Sequence, residues 1–293
     1  MEYRILGRTG LRVSEIGLGT SQTFRLATKE DESRCVRIVN EALDRGINFF
    51  DTAPSYWEAE RVLGRALEGR RHEALVATKV RAQDAASARA SIERSFENLR
   101  ADAIDLLQIH SMVGWREVTP VIQEYQRRGR VRFIGLTESN PGNYAEMIEA
   151  MRTGAYDSIQ ILYSLAERSC LEEMLPLAQK MNIGVIALRV ILNLLADRIP
   201  RDPNAPKADR KPSGGEARAR LVEGLERGRP AHLEPYGVKT PGQALLKYVL
   251  GHPAVSTIIV ATGKVERITE NAAASNGKNL PPPARAWMES LIA

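Results

Sequence analysis

Residues 46–56 read Gly-Ile-Asn-Phe-Phe-Asp-Thr-Ala-Pro-Ser-Tyr, a short apolar run that stops at a carboxylate and passes through a turn to a phenol. A buried strand has this form, apolar along its length and polar where it emerges. The form recurs in Leu-Val-Ala-Thr-Lys-Val (75–80) and in Ile-Asp-Leu-Leu-Gln-Ile-His (104–110). Working outward, short apolar runs fall at 16–20, 47–52, 74–80, 103–110, 131–137, 158–162, 184–188 and 256–261. Helical patterns occupy 30–45, 58–69, 85–99, 115–128, 143–153, 171–181, 241–250 and 265–274. Thr240-Pro241 and Asn140-Pro141 are start signals, a capping side chain followed by a proline at the first helical position. Eight strands, each followed by a helix, predict an α/β fold of the closed parallel (β/α)8 TIM-barrel kind. A doubly wound open sheet, usually of about five to seven strands, would leave units over.

Three pieces fall outside the repeat. Two extended runs flank Gly7-Arg-Thr-Gly10 and predict an N-terminal β-hairpin. Residues 190–239 read as one long βα loop, with 200–215 flexible, and 281–293 carry a C-terminal helix behind Pro281-Pro282-Pro283. Nothing resembles an interdomain linker, so 1–293 is expected to form a single barrel domain.

The 293 residues are 43% hydrophobic and 26% charged, which is globular rather than disordered or fibrous composition. The net charge of +5 is scattered, and aromatics are only 5% of the chain, without a stripe interleaved with basic residues. Both features argue against a nucleic-acid partner and leave an anionic small ligand open. Cys35 and Cys170 stand far apart without a CxxC or Cys/His cluster, so neither a disulfide scaffold nor a metal site is expected, and a cytoplasmic setting is. The charged residues among the first 15 argue against a signal peptide, and no apolar run reaches the roughly 18 to 20 residues of a membrane span. A monomer or a homo-oligomer would both fit.

In such barrels the reactive groups stand where the strands end. Asp51, Tyr56, Lys79 and His110 lie at or just beyond three consecutive strand ends and converge on one mouth. A tyrosine, with an ordinary pKa of about 10, is a poor acid near neutrality. An adjacent ammonium, held charged by a carboxylate, would stabilise the phenolate, and an imidazole would hydrogen-bond a carbonyl oxygen. The same residues would also serve as a structural ion pair with rim side chains. As an ordered set on consecutive strands they point to acid–base chemistry.

At these residues the sequence resembles the aldo-keto reductases. The resemblance also runs through residues 3–20, 129–140 (GRVRFIGLTESN), 159–164 (IQILYS) and 252–271 (HPAVSTIIVATGKVERITEN). It implies a barrel oxidoreductase that reduces an aldehyde or ketone, or runs in reverse, with NADPH/NADP+ as cofactor. Tyr56 would be the general acid, Lys79 and Asp51 its tuning pair, and His110 the residue that orients the carbonyl. Asp51, Thr137 and Gln160 would lie near the nicotinamide and its ribose, with Glu138 beside the carboxamide. Arg267 would face the adenosine phosphate, which favours NADPH, and Glu270 and Asn271 the adenine. Gly17-Leu-Gly19-Thr20 is not a dinucleotide fingerprint. Its glycines would allow either a tight backbone beside the cofactor or a turn. Trp57 and Trp115 would wall the substrate pocket or pack on a neighbouring loop.

The chain also departs from the family pattern. Leu188-Arg189 stands where an aromatic and then Pro-Leu are typical, Ser164 where Asn is usual, and Val260-Ala261 before the phosphate segment. Lys264 and the basic residues Arg198, Arg201, Lys207, Arg210 and Lys211 would compensate over the phosphates or simply be solvated. The altered 187–192 segment motivates an alternative, a non-redox isomerase, dehydratase or cyclase that uses the same tetrad.

Overall fold

The computed structural model describes residues 1–24, 28–191 and 215–292. The chain enters through a hairpin, β1 (Tyr3–Ile5) and β2 (Arg12–Ser14), paired antiparallel. Its turn needs a glycine at Gly7: φ is +50°, and a β-carbon there would lie 2.2 Å from the Gly184 amide nitrogen. Eight parallel strands then close a barrel in the order of the chain. They are β3 (Ile16–Gly19), β4 (Phe49–Asp51), β5 (Leu75–Val80), β6 (Ile104–Ile109), β7 (Val131–Glu138), β8 (Ser158–Leu162), β9 (Gly184–Leu188) and β10 (Val255–Ala261), which returns to β3. The expected barrel, hairpin and C-terminal helix are all present.

Two hydrophobic clusters define inside and outside. Phe49, Ala77, Leu106 and Ile186 point inward and are capped from the hairpin by Leu6, Leu11 and Val13, which close the lower end of the barrel. Val76, Val80, Leu107, Ile109, Ile134, Leu136, Ile159 and Ile161 belong to the larger cluster that joins strands to helices. Side chains along a strand alternate between its two faces with a period of two residues. Because Phe49, Ala77 and Leu106 face inward, Asp51, Lys79 and Gln108 do so too, one layer nearer the mouth.

The helices of the outer layer include α1 (Lys29–Asp44), α2 (Ala59–Ala66), α3 (Ala85–Leu99), α4 (Trp115–Arg127), α5 (Tyr144–Arg152) and α6 (Met174–Lys180). Asp84 caps α3 by accepting from the amides of Ala86 and Ser87. Between β9 and the next barrel helix the structure departs from the expected loop. Residues Gly215–His232 form a helix, α7, which buries Leu221 and Leu225 and packs on α10 (Pro282–Ser290) through Leu291 and Trp287. The 200–215 stretch, but for its last residue, and the basic residues from Arg198 to Lys211 lie outside the described residues. The remaining helices are α8 (Pro241–Leu250), capped by Thr240, and α9 (Val265–Ala272). No described helix is long and apolar enough to cross a membrane.

Candidate active site

The site is built from the strand ends upward. Lys79 at 2% exposure and Asp51 at 3% lie one layer below the mouth. The Lys79 ammonium donates to both carboxylate oxygens at 2.7 Å and to the Thr52 carbonyl at 2.8 Å. The Gln108 amide donates to Asp51 Oδ1 at 3.3 Å. Thr20 secures the same segment, its amide and its hydroxyl both donating to the Asp51 carbonyl. Burial works against a charged Lys79, but the charge of Asp51 and the Tyr56 phenol outweigh it and hold the amine above the ordinary lysine value.

Above this pair sits Tyr56, half-buried, with the Lys79 nitrogen 5.3 Å from the centre of its ring. His110 meets the ring edge-on, the ring centres 6.0 Å apart, and its Nδ1 lies 3.5 Å from the Ser55 hydroxyl. Burial, and then the positive charges of Lys79 and Arg81, push the His110 imidazole down to about 3. It is therefore neutral at physiological pH, able to donate one hydrogen bond but not to act as an imidazolium acid. The unfolded chain takes up a proton near pH 6.5 and the folded one does not until about pH 3, so His110 makes the fold less stable as pH falls below about 6.5. An NMR titration should show a His110 resonance unmoved between pH 5 and pH 8, and His110→Gln should blunt the loss of stability between about pH 6.5 and pH 4.

The inward rows of the neighbouring strands complete the floor. Thr137 and Gln160 stand opposite each other in the β7–β8 register, both buried. The Thr137 hydroxyl accepts from the Ser111 amide at 3.0 Å. The Gln160 side-chain oxygen Oε1 and the Ser158 hydroxyl, one layer apart on β8, have no hydrogen-bond partner among the described residues. Buried polar groups are almost always paired, so an unpaired amide oxygen at a barrel mouth fits a ligand that brings an N–H.

Other expected residues are placed differently. Glu138 follows Ile134 and Leu136 on the outward row of β7. Its carboxylate accepts from the amides of Ser139 and Asn140 and from the Asn143 side chain, so it fastens the β7–α5 loop and is turned away from the inward row of Thr137. Trp115 does not wall the mouth. It is 7% exposed, its indole donates to Glu146, and its ring meets Tyr156, all within the helical layer. Trp57 does stand at the rim beside Tyr56, 58% exposed with φ at +54°, a backbone region costly for a bulky residue. Gly19 belongs to no turn: a β-carbon there would come within 2.6 Å of Ile259 on β10, so packing accounts for it.

Around β9 and β10 the rim is basic. Leu188 is half-buried at the end of β9, on its inward row, and Arg189 follows, exposed, with φ at +57° and without a hydrogen bond or ion pair among the described residues. Arg267 on α9 is held by Glu270 at 2.8 Å, and Glu270 in turn accepts from the Thr240 hydroxyl at 2.7 Å. Asn271 is buried behind them. Lys264 precedes α9 without a side-chain cap; the Arg267 amide donates to the Lys264 carbonyl, and the Val265 and Glu266 amides before it are left to an outside acceptor.

Two residues escaped the sequence reading. Gln108 shares the inward alternation of Leu106 and His110, which was signal enough. Glu60 on α2 is fully buried, accepting from Thr78 at 2.6 Å and from Asn98 at 3.3 Å, and burial raises its carboxyl above the usual range. Its spacing to Leu63, Gly64 and Leu67 puts it on the core face of the helix.

A parallel eight-stranded barrel with proton-transfer groups gathered at the carboxyl ends of its strands is the form of a TIM-barrel enzyme. The model of the Aldo/keto reductase family matches residues 15–291, and the chain belongs to that family of oxidoreductases. It is 30% identical over 295 residues to the L-galactose dehydrogenase of Arabidopsis thaliana, which spans 94% of this chain and 88% of that protein. It is 28% identical over 297 residues to the uncharacterized oxidoreductase YqkF of Bacillus subtilis (strain 168), covering 96% and 93%. Among solved structures, the holo form of aldo-keto reductase AKR11C1 from Bacillus halodurans superposes with a TM-score of 0.80 at 26% identity, over 100% of this chain and 97% of that one.

Proposed function

We propose that the protein reduces the carbonyl of an aldehyde or ketone to an alcohol, or runs in reverse, with NADPH as cofactor and Tyr56 as the general acid. The buried Asp51–Lys79 pair beneath a half-buried phenol, beside a neutral His110, is the observation that carries this reading. We read the whole chain as one barrel unit around that mouth.

His110, as a neutral donor, holds the substrate oxygen against the Tyr56 hydroxyl. When bound, the nicotinamide supplies the hydride that the carbonyl carbon accepts. As negative charge develops on the oxygen, Tyr56 yields its proton, and the fixed positive charge of Lys79 stabilises the phenolate left behind. Asp51 keeps Lys79 charged and immobile. Trp57 forms part of the substrate's wall.

The unpaired Gln160 oxygen, with Thr137 opposite, fits a carboxamide N–H, while Leu188 offers an apolar face. Arg189, Lys264 and the open end of α9 suit phosphates, and Arg267 with Glu270 and Asn271 the adenosine end. A guanidinium already oriented by Glu270 is suited to a 2′-phosphate. Arg267→Leu is expected to weaken NADPH binding about tenfold or more, the worth of a charge-assisted hydrogen bond, with NADH binding little changed. Calorimetric titration of both cofactors checks this. Loss of NADPH absorbance with a panel of aldehydes and ketones tests the reaction itself. Isomerised or dehydrated product without NADPH consumption would replace the reading by a non-redox one.

A further inference from the structure

Arg81 lies just past the end of β5, two residues beyond Lys79, and continues the inward row of Ala77 and Lys79. It is exposed and has neither a hydrogen bond nor an ion pair among the described residues. Acids at this end of the barrel are engaged elsewhere. Asp51 holds Lys79, Asp84 caps α3, Glu58 pairs with Arg61, and Glu138 fastens its own loop. Its charge is the weaker of two, after that of Lys79, that add to burial in lowering the His110 pKa, so it lies at the same side of the mouth as that ring.

Its position in the barrel separates it from the basic rim. In the closed order of strands, β5 lies four strands from β9 in either direction. Phosphates seated at Arg189, Lys264 and Arg267 are therefore on the far side of the mouth. An uncompensated guanidinium beside the reacting groups is left for the other ligand.

We propose that Arg81 is a specificity-determining residue that binds an anionic group, a carboxylate or a phosphate, on a carbonyl substrate held between Tyr56 and His110. The proposal rests on the reductase reading for what happens to the carbonyl, but not for the anion site. Guanidinium is well matched to both anions, because its N–H groups meet two oxygens at once. The substrate class is thus oxo-acids or phosphorylated carbonyl compounds rather than neutral ones.

Three aldehydes of similar shape test it: 4-carboxybenzaldehyde, 4-formylphenyl phosphate and methyl 4-formylbenzoate. Their binding, by calorimetry at low salt without cofactor, and their NADPH-dependent reduction are compared in the wild type, in Arg81→Gln, and in Arg94→Gln, which removes the same charge from an exposed position on α3. At least one anionic aldehyde should bind about tenfold or more tightly than the ester, the better one naming the anion. Arg81→Gln should erase the difference and Arg94→Gln preserve it. Equal binding of all three by the wild type, or a preference that survives in Arg81→Gln, overturns the proposal. An Arg81-dependent preference without NADPH oxidation would sink the reductase reading and leave the anion site standing. Equal reduction of ester and anions would do the opposite.

Discussion

Tyr56→Phe should lower kcat by about two to four orders of magnitude while leaving the dissociation constant for NADPH unchanged. The substitution removes one hydroxyl from a ring that is fixed by its edge contact with His110 and by the lysine beneath it, so the mouth should keep its shape. No neighbour is placed to take over. His110 is neutral far below assay pH, and Lys79, bound to Asp51 and the Thr52 carbonyl, is held above the ordinary lysine value and is a poor proton donor. Steady-state kinetics with a responsive aldehyde, together with a calorimetric titration of cofactor, separate the two quantities. A variant that turned over at more than about a tenth of the wild-type rate would remove Tyr56 from the acid role.

The second large effect concerns Asp51 and Lys79. Lys79→Met leaves a carboxylate at 3% exposure with only Gln108 as a side-chain donor, and Asp51→Leu leaves a buried ammonium with one carbonyl. Each single change should cost about 3–5 kcal/mol in chemical denaturation. The double variant, apolar at both places, should recover most of that stability, because a buried pair costs desolvation that its attraction only roughly offsets. It should nevertheless stay without turnover. Recovered stability with lost activity would show that the pair is retained for chemistry. Lys79 sets the sign of the pH dependence. Its folded value lies above its unfolded value, so its contribution is complete below about pH 10.5 and is lost as pH rises through the folded value. The double variant should lack that alkaline loss.

The barrel was legible because its signal is repeated eight times and each repeat ends in a polar group. The tetrad was legible for the same reason: Asp51, Lys79 and His110 mark strand ends. The errors arose where a residue's direction mattered more than its position. Glu138 and Thr137 are neighbours in sequence, yet the period of the strand turns one to the loop and the other to the mouth. Trp115 follows the strand that ends beside His110 but begins α4, and a large ring at the start of an amphipathic helix is buried with the rest of its face. The helix α7 was hidden by Pro230, three glycines and a dense run of charges. It is held largely by tertiary contacts, Gly224 and Gly228 against Leu291 and Trp287 with Leu221 and Leu225 buried, which local propensity does not report. Glu60 was missed because a glutamate is normally assigned to the surface. Its fully buried carboxyl is explained by donors that arrive from other elements, Thr78 on β5 and Asn98 on α3 among them.

Under the proposed function, hydride passes from a nicotinamide to a carbonyl carbon at this mouth. The direct measurement is to incubate the protein with NADPH deuterated at C4 on the transferred face and with an aldehyde that it consumes, and to analyse the alcohol by mass spectrometry. One deuterium on the carbinol carbon, in proportion to the NADPH oxidised, is the predicted result. Product that carries no deuterium while the aldehyde disappears would contradict it.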